Sequence, residues 1–449
     1  DCDNCLRHCD LMTYYQRYPL KIKNEVFATF EPDSFSPKGA LRLINSCTAC
    51  GNCLKACPAD VAMEDFFLQS RRRLRQLDLM PGPFHDFWLR DMAFATGDLC
   101  HLAQRPPGLK KSAFAFFPGC QLGASDPEYV LRSYAWLRER QPDTALWLSC
   151  CAAPAEWAGE EGLLRQQLET LEQEWAGLGR PQVIFACATC QKMFAKYLPG
   201  IKGLPLYTLM AAWGIAGPAQ AEPEALAVFD PCSAKDDPEL RQSVRQLAAD
   251  AGYVPEELPD SGEIGRCCGW GGHSAVAAPA FAADVIQKRI AESPLPYLTY
   301  CANCRDLFAK SGKSCYHLLD LLFALNGKSR PAPGIDQRRE NRFLLKQRAL
   351  REYFGLDGAA GATYPGAGVA LTIPADLAEQ MDRDLILRED IWQTIAHCEK
   401  SGRKAIRRDN GHCVGNLAIG PITYWAEYEK TADAYMLHAA YCHRLRLPR

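Results

Sequence analysis

Twenty-two cysteines, gathered into tight C-x-x-C units and two directly adjacent pairs, constrain this chain more than any other feature. The adjacent pairs are Cys150–Cys151 and Cys267–Cys268. A disulfide framework belongs mainly to short secreted chains with small cores. At 449 residues this chain is long enough for two to four domains that each bury a core. Neighbouring thiols suit a metal or cluster better than cross-links, which places the chain in a reducing cytoplasm.

The densest run is Cys47-x2-Cys50-x2-Cys53-x3-Cys57-Pro58. This is the bacterial ferredoxin pattern, in which three thiolates wrap one [4Fe–4S] cube and the fourth reaches a second. Gly51 lets the backbone fold closely around the cluster. A partner run, Cys2-x2-Cys5-x3-Cys9, fits the last three positions of the same motif, so a first cysteine is expected two residues before Asp1. Asp10 replaces the usual proline after it. Crosswise ligation assigns Cys47, Cys50, Cys53 and Cys9 to one cube, and Cys2, Cys5, Cys57 and the further cysteine to the other. A zinc knuckle at the first run is the alternative.

Composition separates the rest. Residues 1–110 hold the cysteine-dense, helical ferredoxin-type module. Residues 112–220 and 221–327 alternate apolar strands with amphipathic helices, the pattern of parallel sheet in α/β layers. Strands are expected at Ala113–Phe117, Leu146–Leu148, Val183–Ala186, Leu226–Phe229 and Tyr297–Tyr300, with helices over 126–140, 159–177, 237–251 and 279–292. A polar, Arg- and Pro-rich linker is expected over 328–345. The small α+β domain of 346–449 carries a helical stripe between Asp376 and Lys400. Its strands are expected at Val369–Ile373, Cys413–Ile419, Thr423–Tyr428 and Ala434–Arg444, with a turn at Asn410-Gly411. The fold class is therefore a mixed α/β and α+β multidomain chain.

The middle region repeats itself. Phe117-Pro118-Gly119-Cys120 answers to Phe229-Asp230-Pro231-Cys232, Cys150–Cys151 to Cys267–Cys268, and Cys187-x2-Cys190 to Cys301-x2-Cys304, at offsets of 112, 117 and 114. Two α/β modules facing each other about a pseudo-twofold axis is the natural expectation, with cysteines where the strands end. Five cysteines per half exceed what a tetrahedral zinc site or one cubane uses.

These ten residues resemble the cysteine-rich CCG motifs of the heterodisulfide reductase family. Its members include that enzyme's catalytic subunit and the iron–sulfur subunits of anaerobic glycerol-3-phosphate, glycolate and lactate dehydrogenases. The resemblance covers residues 1–327, because a two-cluster ferredoxin module ahead of two CCG modules is the family's arrangement. It implies two cubane and two CCG-type, non-cubane [4Fe–4S] clusters, the latter facing each other where a disulfide is split. One would use Cys120, Cys150, Cys151, Cys187 and Cys190, and the other Cys232, Cys267, Cys268, Cys301 and Cys304. The first half reads Ala152-Ala153-Pro154 where the second reads Gly269-Trp270-Gly271-Gly272, so the first site is expected to be bulkier. The glycines of the second are expected to admit substrate.

Five cysteines remain. Cys100 and Cys315 read as small buried hydrophobes, and Cys398, Cys413 and Cys442 adjoin His397, His412 and His443 without the spacing of a zinc finger. His273 and Lys235 are candidates to hand a proton to a leaving thiolate, although both are also ordinary loop residues. A net charge of −2 supports no nucleic-acid partner. The longest apolar stretch, Leu204 to Ala216, is broken by Pro205 and Gly214 and is shorter than the roughly 20 residues a bilayer needs. No Walker loop or strand-linked G-x-G-x-x-G occurs, and Gly366-Ala367-Gly368 is a poor substitute. Electrons must therefore arrive from, or leave to, a flavoprotein or other redox subunit, or a ferredoxin-like carrier. The expected activity is disulfide reduction or formation; the alternative is a conduit from a partner dehydrogenase to a quinone. The expected location is cytoplasmic, or at a membrane through a partner.

Overall fold

The computed structural model describes residues 4–30, 38–215, 217, 222–325, 330–356, 364, 370–431 and 434–444. Cys2, Val369 and the Gly366-Ala367-Gly368 loop lie outside them. The N-terminal module is helical, as expected. Its helices Asn4–His8, Asp10–Tyr15, Pro19–Ala28, Lys38–Ser46, Asn52–Ala56 and Met63–Gln76 enclose Met12, Ile22, Val26, Ile44, Phe67 and Leu74. A further helix, Asp86–Thr96, leads into the middle region.

The middle region holds two sheets. The first contains β1 (Leu102–Gln104), β2 (Phe114–Phe117), β3 (Ala145–Leu148), β4 (Gln182–Phe185) and β5 (Gly203–Pro205), in the order β1-β3-β2-β4-β5. The second contains β6 (Glu224–Val228), β7 (Tyr253–Glu257), β8 (Tyr297–Thr299) and β9 (Cys315–His317), in the order β7-β6-β8-β9. Every pairing is parallel except that of β1 with β3. Without β1 the two orders coincide. The apolar runs that announce strands in the sequence are buried over most of their length, and Ala-Leu-Trp-Leu in β3 throughout, as strands covered on both faces must be. The strands they missed are short or lie at edges. In β7, Pro255 and two glutamates suit a solvent-facing edge.

The polar stretch expected as a linker differs from that expectation. A twenty-residue helix, Ile335–Phe354, begins within it. Its arginines look solvent-facing in sequence, but Arg338, Arg339 and Arg342 are buried. Arg342 and Arg339 pair with Asp91, and Arg338 with Asp306. Burial raises the Asp91 carboxyl, and the surrounding arginines, Arg342 foremost, more than reverse this and hold it at about 2. Charged residues are rarely buried unless paired, and these are paired.

The C-terminal domain is a five-stranded sheet of β10 (Leu371–Thr372), β11 (Ala405–Ile406), β12 (Cys413–Ile419), β13 (Ile422–Lys430) and β14 (Tyr435–His443), in the order β10-β14-β13-β12-β11. The expected helical stripe is two helices, Ala375–Arg383 and Arg388–Ser401. The break falls at Leu385, which adopts a positive φ of 53°. The domain docks through Arg90, whose guanidinium meets Asp390 at 2.7 Å and the Tyr424 hydroxyl at 2.6 Å. Among the described residues no helix is long and apolar enough to cross a membrane.

Candidate functional site

Each half delivers its five cysteines from one sheet edge. Cys120 follows β2, Cys150 and Cys151 follow β3, and Cys187 and Cys190 follow β4. Cys232, Cys267–Cys268 and Cys301–Cys304 follow β6, β7 and β8 in the same way. These are the carboxyl ends of parallel strands, where open α/β sheets hold ligands. Cys187 and Cys301 each sit at the N-cap of a helix, Ala188–Tyr197 and Ala302–Lys310. All ten cysteines line a single cavity.

Within it the thiols crowd together. The Sγ atoms of Cys120 and Cys150 are 3.6 Å apart, those of Cys232 and Cys267 4.0 Å, and those of Cys268 and Cys304 3.2 Å. Hydrogen bonds from Cys150 and Cys190 bring Cys151 down to about 6. Bonds from Cys232 and Cys268 hold Cys267 well below its usual value, with help from the Gly269 amide at 3.3 Å. Cys187 and Cys301 are lowered by Cys190 and Cys304, against the effect of burial. Cys187 also senses Cys301 across the cavity. Paired, partly ionised thiols in a buried cavity are the donor chemistry that soft metal centres require. None of the 21 described cysteines is disulfide-bonded.

A second pocket adjoins the first. Cys9, Cys47, Cys50 and Cys53 line it with Met12, Met63, Phe67 and Phe281, and Cys267 lines it too. Gly51 takes a φ of +72° at the turn before the helix Asn52–Ala56, as its place in the motif demands. Burial pushes up the thiols of Cys9, Cys47 and Cys53, and takes Cys50 to about 11, so a cationic centre is needed to draw off their protons. Of the other expected set, Cys5 lies within the helix Asn4–His8 and Cys57 caps the C-terminus of the helix Asn52–Ala56, and these two helices pack together.

The glycines after Cys268 serve a purpose that sequence reading did not foresee. A Cβ at Gly271 would lie 2.2 Å from the Thr48 carbonyl, and one at Gly272 would lie 2.1 Å from that of Cys47. The space over them, expected to admit substrate, is filled by the ferredoxin-type loop. Behind that contact lies Arg71, fully buried. It donates to the carbonyls of Ile44 (3.1 Å), Cys47 (2.6 Å), Trp157 (2.9 Å) and Gly272 (3.0 Å), and so joins three modules. In the first half, Ala152 stands where Gly269 does in the second. It keeps a left-handed turn with φ 68°, so the expected bulk is a single buried methyl group.

His273 also lines the cavity, 4% exposed, with its ring stacked on Trp88 at 5.7 Å. Its Nδ1 lies 2.9 Å from His85 Nδ1, and His85 Nε2 lies 2.9 Å from Asn45 Oδ1. Asn45 donates its amide to the Leu41 carbonyl, which leaves Oδ1 as the acceptor. His85 then donates from Nε2 and accepts at Nδ1 from His273. The His273 Nε2 lone pair is left with no partner among the described residues. Burial, followed by neighbouring cations, pushes both imidazoles well below their usual range, so both are neutral. In this tautomer the free Nε2 of His273 offers an acceptor, where the expectation was that it gives a proton. Lys235, the other proton candidate, is buried and donates to Asn52 Oδ1 at 3.1 Å. Cys100, Cys315 and Cys398 are buried in cores. Trp88, His85, Asn45, Thr48 and Arg71 were missed because nothing in their local sequence marks them.

Comparison with protein families agrees with this geometry. Residues 1–62 match the model of a 4Fe-4S dicluster domain, and residues 114–195 and 226–305 each match that of a cysteine-rich domain. No curated protein matches the chain. A dicluster domain followed by two cysteine-rich domains is the architecture of heterodisulfide reductase-like subunits, and this chain has that architecture. Its iron–sulfur domains mark it as a redox protein with an electron-transfer function.

Proposed function

We propose that this chain relays electrons from a redox partner, through two cubane clusters, to paired CCG-type clusters that reduce or form a disulfide. One observation carries the reading: ten cysteines surround a single cavity, and one of them, Cys267, also borders the pocket of Cys9, Cys47, Cys50 and Cys53. A simple conduit has no use for two cysteine sets facing one space. The pocket set would hold one cubane, and Cys5 and Cys57, with Cys2, would supply the other. Cys120, Cys150, Cys151, Cys187 and Cys190 would hold one CCG-type centre, and Cys232, Cys267, Cys268, Cys301 and Cys304 the second. When bound, such centres supply single electrons, and cleaving one disulfide to two thiols consumes two electrons and two protons.

The chain's own residues prepare the cavity for that chemistry. Trp88, Trp157 and Trp270 wall it and exclude water from the reacting sulfur. His273 Nε2 accepts a hydrogen bond from a product thiol and holds it in place. Lys192 and Lys196, also on the wall, are held by Glu64 at 3.1 Å and Glu156 at 2.7 Å. The partner is a flavoprotein or a ferredoxin-like carrier.

Anaerobically prepared protein should contain roughly 16 iron atoms per chain, four per cluster. Supplied with a reduced viologen and a panel of disulfides, it should oxidise two viologens for each disulfide cleaved. Intact clusters that pass electrons to a quinone and cleave no disulfide would establish the conduit instead.

A further inference from the structure

The C-terminal sheet carries a second constellation, remote in sequence from the cysteines. One ligand atom each from His412, Glu429 and His438 lies within 4.8 Å of the others. Three features show that this is a built arrangement. The first is a β-bulge: Glu427 pairs with Ala439 and Tyr428 with Leu437, so the register passes over His438. Leu437 and Ala440 both turn inward, and the extra residue His438 is thrown to the outer face. Bulges of this kind re-aim a side chain beside a functional site.

The second feature is the fixed tautomer of His412. Its Nδ1 lies 2.9 Å from Glu427 Oε1. Glu427 is itself held by Arg407 and by Asn410 Nδ2, each at 3.3 Å. A carboxylate on Nδ1 leaves Nε2 with a free lone pair, which is how metal-ligating imidazoles are oriented. The third feature is the spacing. The His412 and His438 rings are stacked with centroids 3.8 Å apart, and His438 Nε2 lies 3.7 Å from Glu429 Oε2. That is too long for a hydrogen bond. It is near the roughly 3.4 Å that separates two ligands on one tetrahedral ion with bonds of about 2.1 Å.

We propose that His412, His438 and Glu429 form a three-ligand site for a divalent transition cation of the zinc type, with water in the fourth position. Two imidazoles and one carboxylate select such an ion over magnesium or calcium, which prefer all-oxygen shells. Binding splays the stacked rings by rotation of His438, the more exposed of the two, and it ties β12, β13 and β14 together. Cys413, although next to His412, packs inward with the sheet's core and takes no part.

The test uses the full chain with its clusters loaded, because vacant cluster cysteines would themselves take zinc. Zn2+ is titrated calorimetrically under anaerobic conditions, and the bound ion is examined by absorption at the zinc edge. We expect one site with nitrogen and oxygen ligands only. Its affinity should fall at least tenfold in His412→Ala and His438→Ala, and about tenfold in Glu427→Gln, which removes only the orienting carboxylate. Unchanged zinc affinity in both histidine variants, or sulfur in the first coordination sphere, overturns the proposal.

Discussion

The two cysteine-rich halves share a strand order and a five-cysteine pattern, yet the dicluster module meets them in different ways. Against the first half it presents the helix Met63–Gln76, through side chains and through its backbone at Gly159, where a Cβ would lie 2.7 Å from the Arg71 carbonyl carbon. Arg75 pairs with Glu160 at 3.0 Å, Glu64 with Lys192 at 3.1 Å, and Arg72 reaches the Tyr197 hydroxyl. Against the second half it presents the cysteine loop itself. The carbonyls of Cys47 and Thr48 lie on Gly271 and Gly272, and Thr48 hydrogen-bonds to Cys267. A repeated ligand pattern therefore does not decide which half the cysteine loop rests on. Two glycines outside the pattern do, by letting one backbone approach another. Pro154 and Ala155 stand at the corresponding positions of the first half, whose close backbone approach, at Gly159, is to the helix Met63–Gln76 and not to the cysteine loop.

The largest expected effect follows from this contact. In Gly272→Ala the new methyl would meet a backbone carbonyl at 2.1 Å, at a φ of +67°. The loop must lift, and a displacement of about 1 Å at a reacting geometry costs on the order of 100-fold in rate. Disulfide turnover with viologen should fall by about that factor, while iron content stays near the wild-type value. Pro154→Ala, the control in the first half, should change turnover by less than about twofold. Equal losses in the two variants would erase the distinction between the halves.

Arg71 gives the next largest effect, on stability, because it bonds to both halves at once. Arg71→Met removes four hydrogen bonds and strands buried carbonyls, each costing about 1–3 kcal/mol. Denaturant unfolding should show the dicluster module separating before the middle region. A single coincident transition at wild-type stability would show that Arg71 is not what joins them.

Much of this arrangement was readable from the sequence, and the reason is locality. Cluster ligands keep short spacings, and buried parallel strands are short unbroken apolar runs, so Cys47–Cys57, the adjacent pairs and β2, β3 and β4 all announced themselves. What escaped depends on contacts between distant segments. Arg338, Arg339 and Arg342 looked like a solvated linker because their partners, Asp91 and Asp306, lie up to 251 residues away. The chain Asn45–His85–His273 spans 228 residues and two modules, and no spacing rule connects its members. Gly271 and Gly272 were visible, but the sequence could not say whether a substrate or a backbone needed the room.

The halves should also differ in acid. His317 ends β9 and caps the helix Leu318–Leu322, at the position that Pro205 occupies at the end of β5. Burial, then Arg330 and Arg305, bring its imidazole to about 3 from an ordinary value of 6.5. The folded protein holds it neutral, whereas the unfolded chain binds a proton below 6.5. Its contribution is thus complete above pH 6.5 and is lost as the pH falls toward 3, by about 1.4 kcal/mol per unit. Hydrogen exchange should show the second sheet loosening between pH 6.5 and 5 more than the first, and His317→Asn should reduce that difference. Equal acid response in the two sheets would contradict it.

The smallest effect concerns the one position where the cysteine turns themselves differ. Ala152 sits at φ 68°, within the narrow left-handed region that a residue with a Cβ can occupy at a cost of about 1–2 kcal/mol. Ala152→Gly relieves that strain but loosens the unfolded chain by about 0.4–1 kcal/mol, so the net change should be under about 1 kcal/mol. Gly269 is different, with φ +99° and a prospective Cβ only 3.3 Å from Val285 Cγ1. Gly269→Ala should therefore destabilise by roughly 1–3 kcal/mol. Paired chemical denaturation of the two variants measures the contrast directly. If both substitutions proved neutral, the two turns would be interchangeable, and the difference between the halves would rest on Gly271 and Gly272 alone.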